Sequence, residues 1–146
     1  MGITITGRML DFICGQEEFF PAVTSNSRGT MIIGYGHRVS KTETYTVISE
    51  SAARYLLELD LKKLSPEIER LVTAGMTSNQ YLAILDLVYS IGVTTFAYSK
   101  VLLNLNQEEY KRAANQFGYL VYDGKERSAK LIRRRAVEKA LFLKED

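Results

Sequence analysis

The strongest constraint on this chain is one change of residue pattern, at Ser49. From Phe19 to Thr46 the sequence holds one Pro, three Gly, many Ser and Thr, and short β-prone runs such as TMIIGYGH and TYTVI. After Ser49, apolar residues recur at helical spacing almost to the end. Strand and helix need different side-chain periods, so the fold class is α+β: a small β-hairpin region followed by a helical lobe. Turns fall at Ser27-Arg28-Gly29 and near Ser40-Lys41. Ahead of the hairpin, residues 5–18 carry Met9, Leu10, Phe12 and Ile13 at near-helical spacing, with Thr6 placed to cap.

The helical part is punctuated by residues that start and stop helices. Ser49 is an N-cap before ESAARYLLELDLKKL, and Ser65-Pro66 restarts a helix with proline in its first position. Thr77 caps SNQYLAILDLVYSI, which stops at Gly92; shorter helices follow at about 95–105 and 107–118. A turn at Asp123-Gly124 precedes a last helix at about 127–143, whose apolar face is Ala129, Ile132, Ala136, Ala140 and Leu143. A length of 146 residues suits one domain. Residues 1–48 form the helix-and-hairpin lobe; residues 49–146 form the bridging helices and helical lobe, with 50–73 as the bridge.

Composition removes several chemistries. One cysteine (Cys14) and one histidine (His37) allow no disulfide scaffold and no four-ligand zinc site, and no G-x-S-x-G elbow precedes a helix to pair a serine with His37. Cys14 reads as a small apolar residue. Gly34-Tyr35-Gly36 lacks the third glycine of a dinucleotide fingerprint, so neither cofactor nor metal is expected. No membrane span is present, and Arg8 and Asp11 break the amino-terminal apolar pattern of a signal peptide. The net charge of +2 predicts no partner. Between Lys125 and Lys144, however, eight Lys or Arg face only Glu126 and Glu138. That stretch reads first as a solvated helix face. Nucleic acid is a poor match, because no aromatic lies between residues 123 and 141. Carboxylate chemistry remains. Glu17 and Glu18 end the first helix beside Phe19-Phe20, where the negative end of the helix and partial desolvation both favour a protonated acid.

The string GQEEFFPAVTSNSRGTMIIGYGH resembles the catalytic segment of the phage-type (T4-like) lysozymes, the endolysin family of glycoside hydrolases. Ile33-Gly34-Tyr35-Gly36-His37 matches the family's T-I-G-x-G-H strand, and counting back without a gap puts its catalytic glutamate at Glu17. Further along, VISESAARYLLELDL is similar to the family's capped helix. Thr77, Gln80, Ala83, Tyr89-Ser90-Ile91-Gly92, Phe96, Ser99 and Asn106 follow its T-x-x-Q…N-I-G…F…S…L-N pattern, and LIRRRAVEKALF resembles its closing helix. The resemblance covers about residues 8–143. It implies a lysozyme-like fold with a cleft between the lobes, hydrolysis of the β-1,4 glycan linkage of peptidoglycan, and a substrate cleft drawing on Ile32, Tyr35, His37, Tyr89 and Ser90. His37 is expected to pack and hydrogen-bond rather than catalyse.

Four positions depart from the family. Asn26 stands where it has Asp (sometimes Cys), and Ile32 stands where it has Thr; Glu18 and Ser90 also replace its Gly and its Asn or Gln. An inverting glycosidase needs a second carboxylate about 6.5–9.5 Å from the acid to activate water. Asn26 can orient water through its amide oxygen but accepts no proton, and losing a general base costs about 10²–10⁴ in rate. Adjacent residues at a helix end point about 100° apart, which argues against Glu18 as a displaced base. Two functions follow: a muramidase with Glu17 as acid and Asn26 placing water, or an inactive lysozyme-fold module serving as a structural or wall-binding component of a phage particle. Peptidoglycan is the partner of the first, and other phage structural proteins are partners of the second. Synthesis is expected in the host cytoplasm, with the wall reached through a permeabilising partner or within a virion.

Overall fold

The computed structural model describes residues 3–146. They form two compact units, Ile3–Lys63 and Leu64–Asp146.

The amino-terminal unit opens with helix α1 (Gly7–Gln16), whose first turn is closed by the Thr6 hydroxyl accepting from Met9 N at 3.2 Å. Its apolar spacing puts Met9, Leu10 and Ile13 in the core. Strands β1 (Phe20–Ser25), β2 (Met31–Gly34) and β3 (His37–Arg38) form an antiparallel sheet in the order β1-β2-β3. The TMIIGYGH run is therefore two strands and a turn, not one strand. Gly34 at φ 66° and Gly36 at φ 89° reverse the chain, a backbone that side-chain-bearing residues avoid. The TYTVI run contributes only a single bridge, Ala22 to Val47. Ser49 caps helix α2 (Glu50–Leu71), its hydroxyl accepting from Ala52 N at 3.1 Å.

The expected restart at Ser65-Pro66 does not occur. Helix α2 runs on through Pro66, forgoing the bond that a residue-66 N–H would give the Lys62 carbonyl. Tertiary packing overrides the local signal: Leu57, Leu61 and Ile68 are buried, and the Ser65 hydroxyl meets the buried Tyr81 hydroxyl at 2.8 Å.

In the carboxy-terminal unit, Thr77 and Gln80 form a reciprocal capping box on helix α3 (Ser78–Ile91), which ends at Gly92. Residues Asn79 to Val88 of α3 are nearly all buried, so it is the core helix of this unit. Around it come α4 (Val93–Ala97), α5 (Lys100–Asn106), α6 (Tyr110–Gln116) and a 3₁₀ turn at Phe117–Tyr119. A two-stranded ribbon, β4 (Tyr122–Asp123) and β5 (Glu126–Arg127), turns around Gly124. Helix α7 (Ala129–Leu143), capped by Ser128, packs on α3.

Helix α7 packs the opposite way to its apolar pattern. Ala129, Ile132, Ala136, Ala140 and Leu143 are all exposed, while Arg134, Arg135, Glu138 and Phe142 are buried. Nor are Arg134 and Arg135 part of a solvated basic face. Arg134 forks onto Asp86 of α3 at 2.7 and 3.0 Å, and Arg135 meets Glu138 at 2.8 Å. Asp86 is fully buried, and its charge selects which face of α7 turns inward.

Candidate active site

Helix α1 delivers Glu17. The helix stops at Gln16, and Glu17 turns extended (φ −99°, ψ 152°) while its N–H still bonds the Ile13 carbonyl at 3.0 Å. Glu17 is thus the C-cap residue, half-buried, whereas Glu18 is exposed. Phe19, two residues on, sets its ring against Tyr35, centroids 5.5 Å apart and planes tilted by 42°. On the surface Arg54 of α2 pairs with Asp11 of α1 at 2.7 Å. Burial pushes the Cys14 thiol up, against the lowering pull of Arg54, so the sulfur is kept as thiol. The Tyr35 hydroxyl is likewise pushed up, first by burial and then by Cys14.

Strand β1 separates Glu17 from Asn26. Asn26 builds the β1–β2 turn: its N–H bonds the Thr30 carbonyl, and its side-chain oxygen accepts from Arg28 N at 3.0 Å and Thr30 N at 2.9 Å. Gly29 completes the turn at φ 77°. An aspartate would make the same two acceptor bonds, so the turn does not require the amide. Ile32 pairs with Thr24 across the sheet and is half-buried. Its neighbour Ile33 is fully buried, so Ile32 points away from the core face.

His37 on β3 is held from both sides. Its Nδ1 lies 2.8 Å from Asp60 of α2, and its Nε2 lies 2.9 Å from Glu43. Burial disfavours its charge, but bonds to Asp60 and then Glu43 outweigh that and raise its pKa above 6.5. Glu43 is brought down to about 2 by bonds from the Tyr45 hydroxyl, the Ser40 N–H and His37. In return Tyr45 is pushed up to about 12. Burial raises the Asp60 carboxyl, partly offset by His37. With a carboxylate on each nitrogen, the ring is a two-donor clamp between the sheet, the 40–45 loop and α2.

Tyr89 and Ser90 belong to the other unit, near the end of α3, and both are half-buried. The Ser90 hydroxyl accepts from Arg135 and so helps seat α7 on α3. Burial, with Asp86 nearby, raises Glu138 well above the ordinary carboxylate range. Among the other tyrosines, Tyr81 is a core residue, whereas Tyr119 and Tyr122 are exposed.

Several participants carried no signal in the sequence. Asp60 and Glu43 are single acids whose meeting with His37 depends on the 40–45 loop folding back. A concavity of about 410 Å³ in the helical unit is lined by Ser99, Lys100, Val101, Gln116, Tyr119 and Leu120, from the start of α5, the end of α6 and the 3₁₀ turn that follows. Among the described residues, no group of three or more His, Cys, Asp or Glu is disposed to hold a metal, and no helix is long and apolar enough to cross a membrane.

Comparison with known proteins bears on this geometry. Residues 15–138 match the family model described as phage lysozyme. The endolysin of Salmonella phage P22 is 38% identical over 124 residues, covering 82% of this chain and 84% of that protein. The endolysin of Bacillus phage B103 is 33% identical over 117 residues, and the chain spans only 42% of its length. The solved muramidase domain of SpmX from Asticaccaulis excentricus superposes with a TM-score of 0.87 at 30% identity, covering 97% of this chain and 98% of that one. A three-stranded sheet after a short helix, followed by helices around a buried α3, is the lysozyme-like α+β fold. The matched span runs from before Glu17 into α7, and on that extent the chain belongs to the phage lysozyme family.

Proposed function

We propose that this chain acts on bacterial peptidoglycan, hydrolysing the β-1,4 glycan linkage with Glu17 as general acid. The observation that carries the reading is Glu17 itself. It is a half-buried carboxyl at the C-cap of α1, beside the Phe19–Tyr35 pair, inside the span matched to the family. A carboxyl at that place is the group that protonates the leaving oxygen. The names of the relatives, endolysin and muramidase domain, support the same substrate.

Asn26 sets the pace. Without a carboxylate there, water is oriented but not deprotonated, and turnover falls about 10²–10⁴ below that of an otherwise equal enzyme with a base. A second reading, a glycan-binding or virion module without turnover, is favoured by the Asn26 oxygen being engaged in its turn and by the apolar Ile32 beside the sheet. Release of soluble fragments from purified peptidoglycan separates the two. Slow release by the native chain, abolished in Glu17→Gln and raised at least about 10²-fold in Asn26→Asp, supports the enzyme. No release by the native chain or by Asn26→Asp, with retained sedimentation on walls, supports the module.

A further inference from the structure

The inverted packing of α7 leaves an exposed surface with a definite chemistry. At 100° per residue, Leu143, Ile132, Ala136, Ala129 and Ala140 fall on one stripe within about 80° of arc. Ile132 is 40% exposed and Leu143 49%, and Val137, at 42%, extends the apolar surface to one side. Lys139 flanks the stripe on one edge, and Arg133 and Lys130 flank it on the other. The single carboxylate in the helix, Glu138, is buried, so the solvent face of α7 carries cations and apolar groups with no anion. Lys125, Arg127 and Lys144 extend the positive charge beyond both helix ends, where exposed Asp123 and Glu126 in the preceding ribbon and Glu145 and Asp146 after the helix partly offset it.

We propose that this face of α7 is a binding surface for anionic lipid headgroups, on which the helix lies in the plane of the membrane interface. A narrow apolar stripe bordered on both edges by long cationic side chains is what an interfacial helix requires. The stripe enters the acyl boundary while the Lys and Arg stems reach back to phosphates. The helix is about 22 Å long, enough to lay the stripe across several headgroups. An acidic protein would match the charge, but it would not need cations on both edges of an apolar strip. The surface is independent of Glu17, so binding stands or falls apart from the hydrolase reading.

The chain has no tryptophan, so Ile132→Trp gives a single reporter on the stripe. Full-length protein is mixed with vesicles of phosphatidylcholine containing one-third phosphatidylglycerol, and with phosphatidylcholine alone. A blue-shifted emission on the anionic vesicles only, with no shift from Tyr55→Trp at an exposed site on α2, is the expected result. Vesicle co-sedimentation of the otherwise native chain then weakens about tenfold or more in Ile132→Ser/Leu143→Ser. It weakens about fivefold for each of Lys130 and Arg133 changed to Gln. These positions are exposed, and unchanged melting temperatures verify that the variants fold. The proposal is overturned if anionic vesicles give no shift, which leaves an acidic protein as the partner that fits. It is equally overturned if both reporters shift alike, or if the serine variant binds as well as the native chain, since binding would then be electrostatic alone.

Discussion

At the scale of single residues, Gly34 shows how one position couples sheet to helix. Its φ is 66°, and a Cβ placed there would lie 2.9 Å from the Ala53 Cβ and 3.3 Å from its Cα. Strand β2 approaches α2 so closely that only hydrogen fits. Gly34→Ala therefore meets both a left-handed backbone cost and a backbone-level clash, about 2–4 kcal/mol together, read as a lower denaturant midpoint with unchanged slope. Asn26 is the contrasting case. Its role in the turn needs only an acceptor, so Asn26→Asp should leave stability within about 0.5 kcal/mol while changing the chemistry available. The glycine and the turn were evident from the G-x-G and N-S-R-G strings. The distance from Gly34 to Ala53 was not, because it depends on how the sheet sits on α2.

At the scale of elements, α7 defines what pattern reading misses. Its apolar residues recur at helical spacing, yet the helix buries its charges. The cause lies on another element: α3 presents the buried Asp86, and a buried carboxylate needs cations more than a surface helix needs to hide alanines. Phe142 stacks near Phe117, centroids 5.5 Å apart, and supplies the apolar part of the contact. Arg134→Met keeps the volume but leaves Asp86 and Glu138 buried together with one cation fewer. Chemical unfolding should show a loss of about 3–5 kcal/mol, and Asp86→Asn in the same chain should recover part of it. Helix α2 makes the related point about Pro66. A local breaker is overridden when residues on both sides of it, Leu61 and Ile68 among them, are buried.

At the scale of the whole molecule, the clamp on His37 writes a pH dependence into stability. His37 has a folded pKa raised above 6.5, so its contribution is complete below about 6.5 and is lost as pH rises through the folded value. Glu43 is lowered from 4.5 to about 2, so its contribution is present above about 4.5 and is lost as pH falls toward 2. The two limits leave greatest stability in mildly acid solution. The melting temperature of the native chain should fall on going from about pH 6 to pH 8, and His37→Gln should flatten that limb. Tyr45→Phe removes the largest cause of the Glu43 shift, so the acid limb should still begin near 4.5 but be smaller and end at a higher pH. A native profile flat between pH 6 and 8 would count against the clamp.

What the sequence determined by itself was local. Thr6, Ser49 and Thr77 cap where their side chains reach the next turn's N–H groups, and Gly29 and Gly124 turn the chain because few other residues adopt their backbone. The ordered motifs from Glu17 to the closing helix were equally readable, since a family's spacing is a property of the chain. Tertiary structure alone decided which face of α7 turns inward, whether α2 survives Pro66, and which acids meet His37. Each of these depends on burying a charge or an apolar surface against residues distant in sequence, and the energy of such contacts exceeds the preference of any single position.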